Sequence, residues 1–264
     1  MTQLAARPLH ASPLVRVGDV VCSAPRSPRG ALEWNRSPEL ILPRRGVFAV
    51  HRRGGTVLAD AAGAVLLRAD DEYCVSHPAG HGDACTTLAF APAIVEEALA
   101  GAEPAHATLR PGTQRRVALF TARLRRGTPA PDADEAALLL LDAVAGDLRG
   151  RPPVAQTAAR RATAVRALLA ADPAAPWRLE SVAAAVHCSP FHLARQFRAA
   201  TGETIARYVT RLRLALAAER VLDGEDDLGR LAVELGFAHH SHLTARFRAL
   251  FATTPSELRR NVTA

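Results

Sequence analysis

The stretch HLARQFRA at residues 192–199 returns fifty positions later, almost unchanged, as HLTARFRA at residues 242–249. Each copy follows a short Ala-rich apolar segment and a tight turn. This pattern predicts two helix-turn-helix units, each with arginine on its second helix. Such a pair is typical of a protein that reads the major grooves of DNA.

The distribution of charge supports the same interpretation. The chain of 264 residues has a formal net charge of +7, and all 33 basic residues are arginine. Residues 160–264 contain 15 arginines against 10 acidic residues, whereas residues 1–159 contain 18 against 16. A coding bias also produces an arginine-only composition, so the location of the charge carries more weight. Its excess lies with the repeat, as binding to DNA phosphates requires.

The first 90 or so residues follow β patterns. Short segments rich in Val and Leu alternate with turn sequences such as RGG at 53–55 and DAAG at 60–63. Many short strands with frequent turns predict an antiparallel sandwich or barrel. The expected strands are Val15–Cys22, Leu40–Arg52, Thr56–Ala59, Ala64–Ala69, Tyr73–His77 and Thr86–Phe90.

From Pro92 onward the apolar residues follow a helical period. The expected helices are Pro92–Ala100, Thr113–Arg126 and Asp132–Leu148. The third carries an apolar stripe at i, i+3, i+4 spacing, formed by Ala137, Leu140, Leu141, Val144 and Leu148. Such a stripe packs either on its own domain or on a second subunit, and the sequence leaves both open.

The sequence GRPP at 150–153 is the clearest linker, because Pro-Pro holds an extended spacer. We therefore predict a two-domain α+β protein. Residues 1–150 form a β domain with trailing helices at 92–148, residues 150–159 form a linker, and residues 160–262 form an all-α domain.

Capping signals set the limits of seven helices in the all-α domain. Ser189-Pro190 suits a helix start, Gly202 a helix end and Gly236 a turn, and residues 254–257 fit a capping box. The expected helices are about 158–171, 179–186, 190–201, 205–222, 226–235, 240–251 and one from 255. The helix-turn-helix units are residues 179–200 and 228–251. The long helix between them would hold two recognition helices about one DNA turn (~34 Å) apart.

The tail resembles the AraC/XylS family of bacterial transcription regulators over about residues 160–262. The matching residues of the first unit are Ser189-Pro190-Phe191-His192-Leu193-Ala194-Arg195, Phe197-Arg198, Gly202, Tyr208 and Arg211-Leu212-Arg213-Leu214. Those of the second unit are Leu231-Ala232, Gly236-Phe237, Ser241-His242-Leu243-Thr244, Phe247-Arg248 and Thr254-Pro255-Ser256. The resemblance implies a sequence-specific DNA-binding transcription regulator, an activator, whose partners are double-stranded promoter DNA and RNA polymerase.

By position, the resemblance also implies which side chains meet DNA. Base contacts are expected from Phe191, Ala194, Arg195, His240, Ser241 and His242. Of these, Arg195 is best suited to bind guanine O6 and N7. Phosphate contacts are expected from Arg198 and Arg248. The residues expected in the core are Leu193, Phe197, Leu243 and Phe247.

Three positions depart from the family pattern. Ala245 stands where the second unit usually carries Arg, and Arg246 follows one position later, about 100° around the helix. Arg246 therefore faces either the DNA backbone or solvent. Ala252 replaces a family Gly, and Leu258 replaces an aromatic residue.

The N-terminal half resembles, more loosely, the cupin-like sensor domain that such regulators often carry. The similar segments are LPRRGVF at 42–48, VSHP at 75–78 and CTTLAF at 85–90. This resemblance implies a cupin-like barrel or sandwich that binds a small-molecule effector, forms a homodimer, or does both.

Four residues of this half, Cys74, His77, His81 and Cys85, follow C-x2-H-x3-H-x3-C spacing. Soft Cys and His ligands suit zinc. Strand alternation, however, places neighbouring side chains on opposite faces. We therefore favour a buried cysteine pair with loop histidines and no cofactor, and keep a metal- or thiol-responsive regulator as the alternative.

Other classes of protein have less motif support. The strand region has no H-x-H pair for a metalloenzyme, and the chain has neither G-x-S-x-G nor a P-loop. We expect no enzymatic activity; the alternatives are a cupin-type metalloenzyme fused to a DNA-binding tail and a non-specific architectural DNA binder. No apolar run of ~18 residues and no signal-peptide pattern occurs, so no membrane partner and a cytoplasmic location are expected.

Overall fold

The computed structural model describes residues 4–99, 106–127, 132–149 and 156–263. The strands are β1 (Leu4–Ala11), β2 (Val15–Cys22), β3 (Glu33–Trp34), β4 (Glu39–Arg45), β5 (Val47–Arg52), β6 (Gly55–Asp60), β7 (Gly63–Leu67), β8 (Glu72–Ser76), β9 (Asp83–Phe90) and β10 (His106–Thr108). The helices are α1 (Pro92–Ala98), α2 (Pro111–Arg125), α3 (Ala133–Arg149), α4 (Gln156–Ala171), α5 (Leu179–Ala185), α6 (Pro190–Thr201), α7 (Ile205–Leu222), α8 (Leu228–Glu234), α9 (His240–Phe251) and α10 (Pro255–Thr263).

Antiparallel pairing arranges the strands in two sheets. One contains six strands in the order β1-β2-β9-β4-β7-β10, and the other contains β3-β8-β5-β6. The chain passes between the sheets at Gly46, where φ is +73°. A Cβ at this position would lie 2.4 Å from the carbonyl oxygen of Gly82, so both the turn and the close approach require glycine.

Alternating side chains give the sheets distinct apolar faces. Ile41 of β4 and Val50 of β5 meet inside the sandwich. Leu42, one position after Ile41, packs on the opposite face of the larger sheet, against α1, α2 and α3. Ala49, on the outer face of the smaller sheet, packs against the helices that follow. The described strands and helices confirm the predicted antiparallel sandwich with trailing helices.

The apolar stripe of α3 is buried in its own half. Ala137, Leu140, Leu141 and Val144 are at most 2% exposed and belong to the core beneath the six-stranded sheet. Of the two roles left open for this stripe, packing on its own domain is therefore confirmed.

The seven predicted helices of the all-α half are all present as α4 to α10. The bounds of α7 and α9 equal the expected ones, and α4 begins two residues before the expected start. The predicted linker core at residues 150–153 lies outside the described residues, so the domain division stays a prediction. Across the described ranges, no helix is both long enough and apolar enough to cross a membrane.

The strands differ from the expected set in two ways. The segment expected as one strand from Leu40 to Arg52 is two strands, because the chain turns at Gly46. Three strands were not expected: β1, β3 and β10. The strand β1 is mostly exposed at the edge of its sheet, and β3 and β10 have two and three residues. Hydrophobic alternation is too weak in such segments to identify a strand.

A buried ion pair joins the two halves of the chain. Arg166 of α4 donates to the carboxylate of Asp60 at the end of β6, and the Tyr208 hydroxyl of α7 donates to the same group at 2.7 Å. All three residues are buried. Burial alone would raise the pKa of Asp60, but Arg166, followed by His106 and Tyr208, lowers it below its ordinary value.

A second polar cluster fastens the other end of α7. Arg44 of β4 binds both Asp19 of β2 and Glu219 of α7. Arg125 of α2 reaches Glu219 and Asp223, each at 2.9 Å. The helix α7 is therefore held to the N-terminal half near both of its ends.

We expect Asp60→Asn to lower the free energy of unfolding by about 3–5 kcal/mol, because it leaves Arg166 buried without its counter-charge. Denaturant unfolding at pH 7 measures the loss. Since the pKa of Asp60 is lowered by folding, its contribution is complete above the unfolded value of about 3.9 and disappears as the pH falls through the folded value. The difference between the variant and the wild type should therefore shrink in acid.

The exposed Glu96 of α1 provides the matched control. Glu96→Gln removes one carboxylate of similar size and should change the stability by less than about 0.5 kcal/mol. If Asp60→Asn is as stable as Glu96→Gln at pH 7, the ion pair does not join the halves.

Candidate nucleic-acid interface

The two helix-turn-helix units repeat the same backbone conformations 49 or 50 positions apart. The turn of the first unit passes through His187 with φ of +49°, and that of the second passes through Gly236 with φ of +73°. After the second helix, Gly202 and Ala252 both adopt the left-handed conformation. The sequence repeat is therefore a structural repeat.

Side-chain caps begin both recognition helices. The Ser189 hydroxyl accepts a hydrogen bond from the backbone N–H of His192 at 3.3 Å, and Pro190 occupies the first turn of α6. The helix α9 is capped by His239, whose ring nitrogen Nδ1 accepts a hydrogen bond from the backbone N–H of His242 at 3.2 Å. These caps satisfy helix N–H groups that have no partner within the helix.

The inner faces of α6 and α9 use equivalent residues. The four side chains expected in the core, Leu193, Phe197, Leu243 and Phe247, are each 0% exposed. Phe197 meets the ring of Tyr208 edge-on at 5.6 Å, and Phe247 packs on Phe251 at 4.6 Å. The predicted core of both units is confirmed, and it fixes which face of each helix points outward.

The outward face of α6 presents the three residues predicted to contact bases in the first unit. Phe191, Ala194 and Arg195 are all exposed, and Phe191 is 73% exposed. The Arg195 guanidinium lies 5.7 Å from the centre of the Phe191 ring, at cation–π distance. An apolar group and a guanidinium thus stand together at the start of the helix. The ring suits contact with a thymine methyl group, and the guanidinium suits hydrogen bonds to a guanine edge.

In the second unit the predicted residues are placed less uniformly. His240 and Ser241 are exposed, but His242 is half-buried. Its ring stacks edge-on against Phe237 at 5.5 Å, and its Nδ1 accepts from the N–H of Ala238 at 3.4 Å. The structure therefore gives His242 a role in holding the turn, beside any role at DNA.

The remaining predicted contacts surround this surface. Arg198, Arg246 and Arg248 are exposed, and the guanidinium of Arg246 lies 3.4 Å from Nε2 of His242. Neither α6 nor α9 contains an acidic residue. Both outward faces are therefore positively charged, as a surface that binds phosphates must be.

Arg213, which sequence reasoning placed in the family motif without a role, links the two units. From α7 its guanidinium donates to the carbonyl oxygens of Pro173 and Ala175, at 2.7 and 2.8 Å, in the loop before α5. It also donates to the carbonyl oxygen of Gly236, in the turn of the second unit, at 2.9 Å. One side chain of the long helix thus fixes a loop of each unit.

The four residues considered as metal ligands do not come together. Cys74 lies on β8 and Cys85 on β9, in different sheets. Cys74 of β8 pairs with His51 of β5. The next residue of β8, Val75, faces the sandwich interior together with Cys85. Cys74 therefore points away from Cys85. Of the four, His77 alone belongs to a described cluster of three ligand groups, with Cys22 and Asp83.

Comparison with known proteins matches the helix-turn-helix repeat to a family. A helix-turn-helix domain family matches residues 182–261. An AraC-like transcription regulator of Streptomyces antibioticus is 31% identical over 121 residues, which are 46% of this chain and 38% of that protein. The regulatory protein SoxS of Salmonella typhimurium is 32% identical over 84 residues, which are 32% of this chain and 78% of SoxS.

This chain therefore spans less than half of the Streptomyces relative but most of SoxS. Among solved structures, ToxT from Vibrio cholerae aligns with 100% of this chain and 99% of its own, at 11% identity and a TM-score of 0.39.

We expect Phe247→Ala to destabilise the second unit by about 3–5 kcal/mol, because it removes a fully buried ring. Phe191→Ala removes the same atoms from an exposed site and should change the stability by less than about 0.5 kcal/mol. Thermal unfolding of both variants measures the contrast. Equal melting temperatures would contradict the assignment of inner and outer faces.

Substitutions at the two left-handed residues, Gly202 after α6 and Ala252 after α9, should change the stability in opposite directions. Ala252→Gly should raise the stability by roughly 1 kcal/mol, because an L side chain is strained at φ of +53°. Gly202→Ala, at φ of +80° and with no atom within 4 Å of the added Cβ, should lower it by a similar amount. Denaturant unfolding tests both. Changes of the same sign would show that backbone strain does not decide stability here.

Proposed function

Because the chain belongs to the AraC/XylS family of DNA-binding transcription regulators, we propose that its helical half binds a specific site on double-stranded promoter DNA. One observation carries this proposal. The helices α6 and α9 bury equivalent Leu and Phe residues and expose equivalent outer faces, which contain arginine and no acidic residue. Each helix follows a short helix and a left-handed turn, as recognition helices do.

Direct base reading is assigned to the start of each helix. In the first unit Arg195 binds a guanine edge, and Phe191 and Ala194 contact neighbouring bases. In the second unit His240 and Ser241 are the exposed candidates, with His242 beside them. The exposed Arg198, Arg246 and Arg248 bind phosphates, which position the helices without reading sequence.

Both units act on one DNA molecule at a fixed separation. The helix α7 has 18 residues and is therefore about 27 Å long at 1.5 Å per residue. Arg213 connects α7 to a loop of each unit. A single chain can then place α6 and α9 in successive major grooves on one side of the duplex.

We assign regulation to residues 1–150 and DNA binding to residues 160–262. The predicted linker at 150–159 overlaps the start of α4, which begins at Gln156. A cleft of about 420 Å³ supports an effector site, since small-molecule sites in proteins are of this size. It is lined from both halves, by Leu109 and Asp147 on one side and by Glu203, Arg207 and Arg211 on the other. Its charged lining suits a polar small molecule.

The edge strand β3 supports formation of a homodimer. Leu32, the residue before β3, and Trp34, the last residue of this edge strand, are 59% and 66% exposed. Exposed apolar side chains on an edge strand favour pairing with another surface. From family membership we further propose activation through RNA polymerase, action in the cytoplasm where promoter DNA lies, and no enzymatic activity.

We expect Arg195→Ala to weaken binding to the specific site by about 1–3 kcal/mol and to relax the preference at one base pair, because a bidentate guanine contact is lost. Binding to a site selected from random DNA, and to its single-base variants, measures both effects. Equal losses on specific and random DNA would contradict a base-reading role and assign Arg195 to phosphate.

Arg198→Ala is the matched control on the same helix. Loss of a phosphate contact should weaken binding to all sequences alike and reduce the salt dependence by about one counterion. A change of base preference in this variant would reverse the two assignments.

A further inference from the structure

Three potential metal ligands from separate segments meet at one end of the β sandwich. Cys22 ends β2, and Asp83 begins β9 directly opposite it in the register of the two strands. His77 follows β8, and its backbone forms a two-way hydrogen-bonded bridge with Ser27. One ligand atom from each of Cys22, His77 and Asp83 lies within 4.8 Å of the other two.

The three side chains lie within reach of one ion. The Nδ1 atom of His77 lies 2.8 Å from Oδ2 of Asp83, and its Nε2 atom lies 3.8 Å from the sulfur of Cys22. Bonds of about 2.0–2.3 Å to a tetrahedral zinc ion place its ligand atoms about 3.5 Å apart. Because these two contacts use opposite ring nitrogens, an ion takes only one of them, and the imidazole must rotate to face that nitrogen toward both the sulfur and the carboxylate. One ligand atom of each residue already lies within 4.8 Å of the other two.

The backbone around the three residues is tightly fixed. Gly82 precedes Asp83 with φ of +69°, and a Cβ there would lie 2.4 Å from the carbonyl oxygen of Cys22. A Cβ on Gly46 would lie 2.8 Å from the Cβ of Asp83. These close approaches hold the ligand-bearing segments in place before any ion binds, which lowers the cost of ordering the site.

The site is buried but not sealed. Cys22 is 5% exposed, and the side chains of His77 and Asp83 are 14% and 6% exposed. An ion can therefore enter past the imidazole. The low exposure keeps water from competing for most of the coordination sphere.

We propose that Cys22, His77 and Asp83 bind one divalent transition-metal ion of the zinc type, with the fourth position open to water or an exogenous ligand. A thiolate, a carboxylate and a neutral imidazole neutralise a dipositive ion, and binding releases the thiol proton. Sulfur and nitrogen ligands favour zinc over magnesium or calcium. The ion would tie β2, β8 and β9 together within the N-terminal half. This site is independent of the DNA surface and extends beyond the proposed function.

Cobalt titration of the chelator-treated full chain tests the proposal. We expect one Co²⁺ per chain, with a thiolate-to-cobalt charge-transfer band and the visible bands of tetrahedral cobalt, both removed by one equivalent of Zn²⁺. Cys22→Ser should abolish the charge-transfer band. Asp83→Asn and His77→Gln should each weaken binding at least tenfold.

Cys74→Ser and His81→Gln are the matched controls, since they alter the same residue types nearby but outside the cluster. Both should keep wild-type binding and spectra. Circular dichroism establishes that each variant is folded, and any one of the three ligand variants that folds is sufficient for the test. Wild-type chain without equimolar binding would overturn the proposal, as would a charge-transfer band that survives Cys22→Ser or disappears in Cys74→Ser.

Discussion

The buried carboxylate of Asp60 is the constraint on which the arrangement of the two halves depends. It accepts from Arg166 of α4 and Tyr208 of α7, and all three groups are removed from water. A charge buried in this way is strongly unfavourable without its partner. The halves can therefore separate only if water reaches both charges together, so that docking is cooperative. Burial and the neighbouring Asp60 also raise the pKa of Tyr208, which keeps its hydroxyl protonated as a donor.

The helix α7 connects the buried ion pair to the proposed DNA surface. Tyr208, Arg211 and Glu219 of α7 bind the N-terminal half through Asp60, the carbonyl oxygen of Leu109 and Arg44. Arg213 of the same helix binds a loop of each helix-turn-helix unit. Because α7 is shared, a rearrangement of the N-terminal half that moves it would move both recognition surfaces together. This gives a physical route from the proposed effector cleft between the halves to the proposed DNA surface of the second half.

The helical half could be predicted from the sequence almost to the residue, because local signals specify it. Ser189 and Pro190 begin α6, Gly202 ends it, and the spacing of Leu193 and Phe197 sets its inner face. Such caps and periods act within a few residues and need no knowledge of the rest of the fold. The exposure of Phe191 and Arg195 follows directly from them.

The features that sequence reasoning missed all depend on distant contacts. Asp60 and Arg166 are charged residues 106 positions apart, and charged residues are ordinarily expected at the surface. Cys22 and His77 are 55 positions apart and meet only through the pairing of β2 with β9 and the bridge at Ser27. The spacing of Cys74, His77, His81 and Cys85 suggested a site along the chain, but alternation across β8 turns Cys74 away. The register of strand pairing decides which ligands meet, and the periodicity of the sequence does not specify that register.

We propose that the two recognition helices, held at a fixed separation by α7 and Arg213, read one bipartite site. Selection of binding sequences from random DNA by the full-length chain at physiological salt tests it most directly. We expect a motif of two blocks with centres about ten base pairs apart and a constant spacer. A motif with one block or a variable spacer would contradict the fixed separation. No enrichment, with binding only at low salt, would identify a non-specific architectural binder instead.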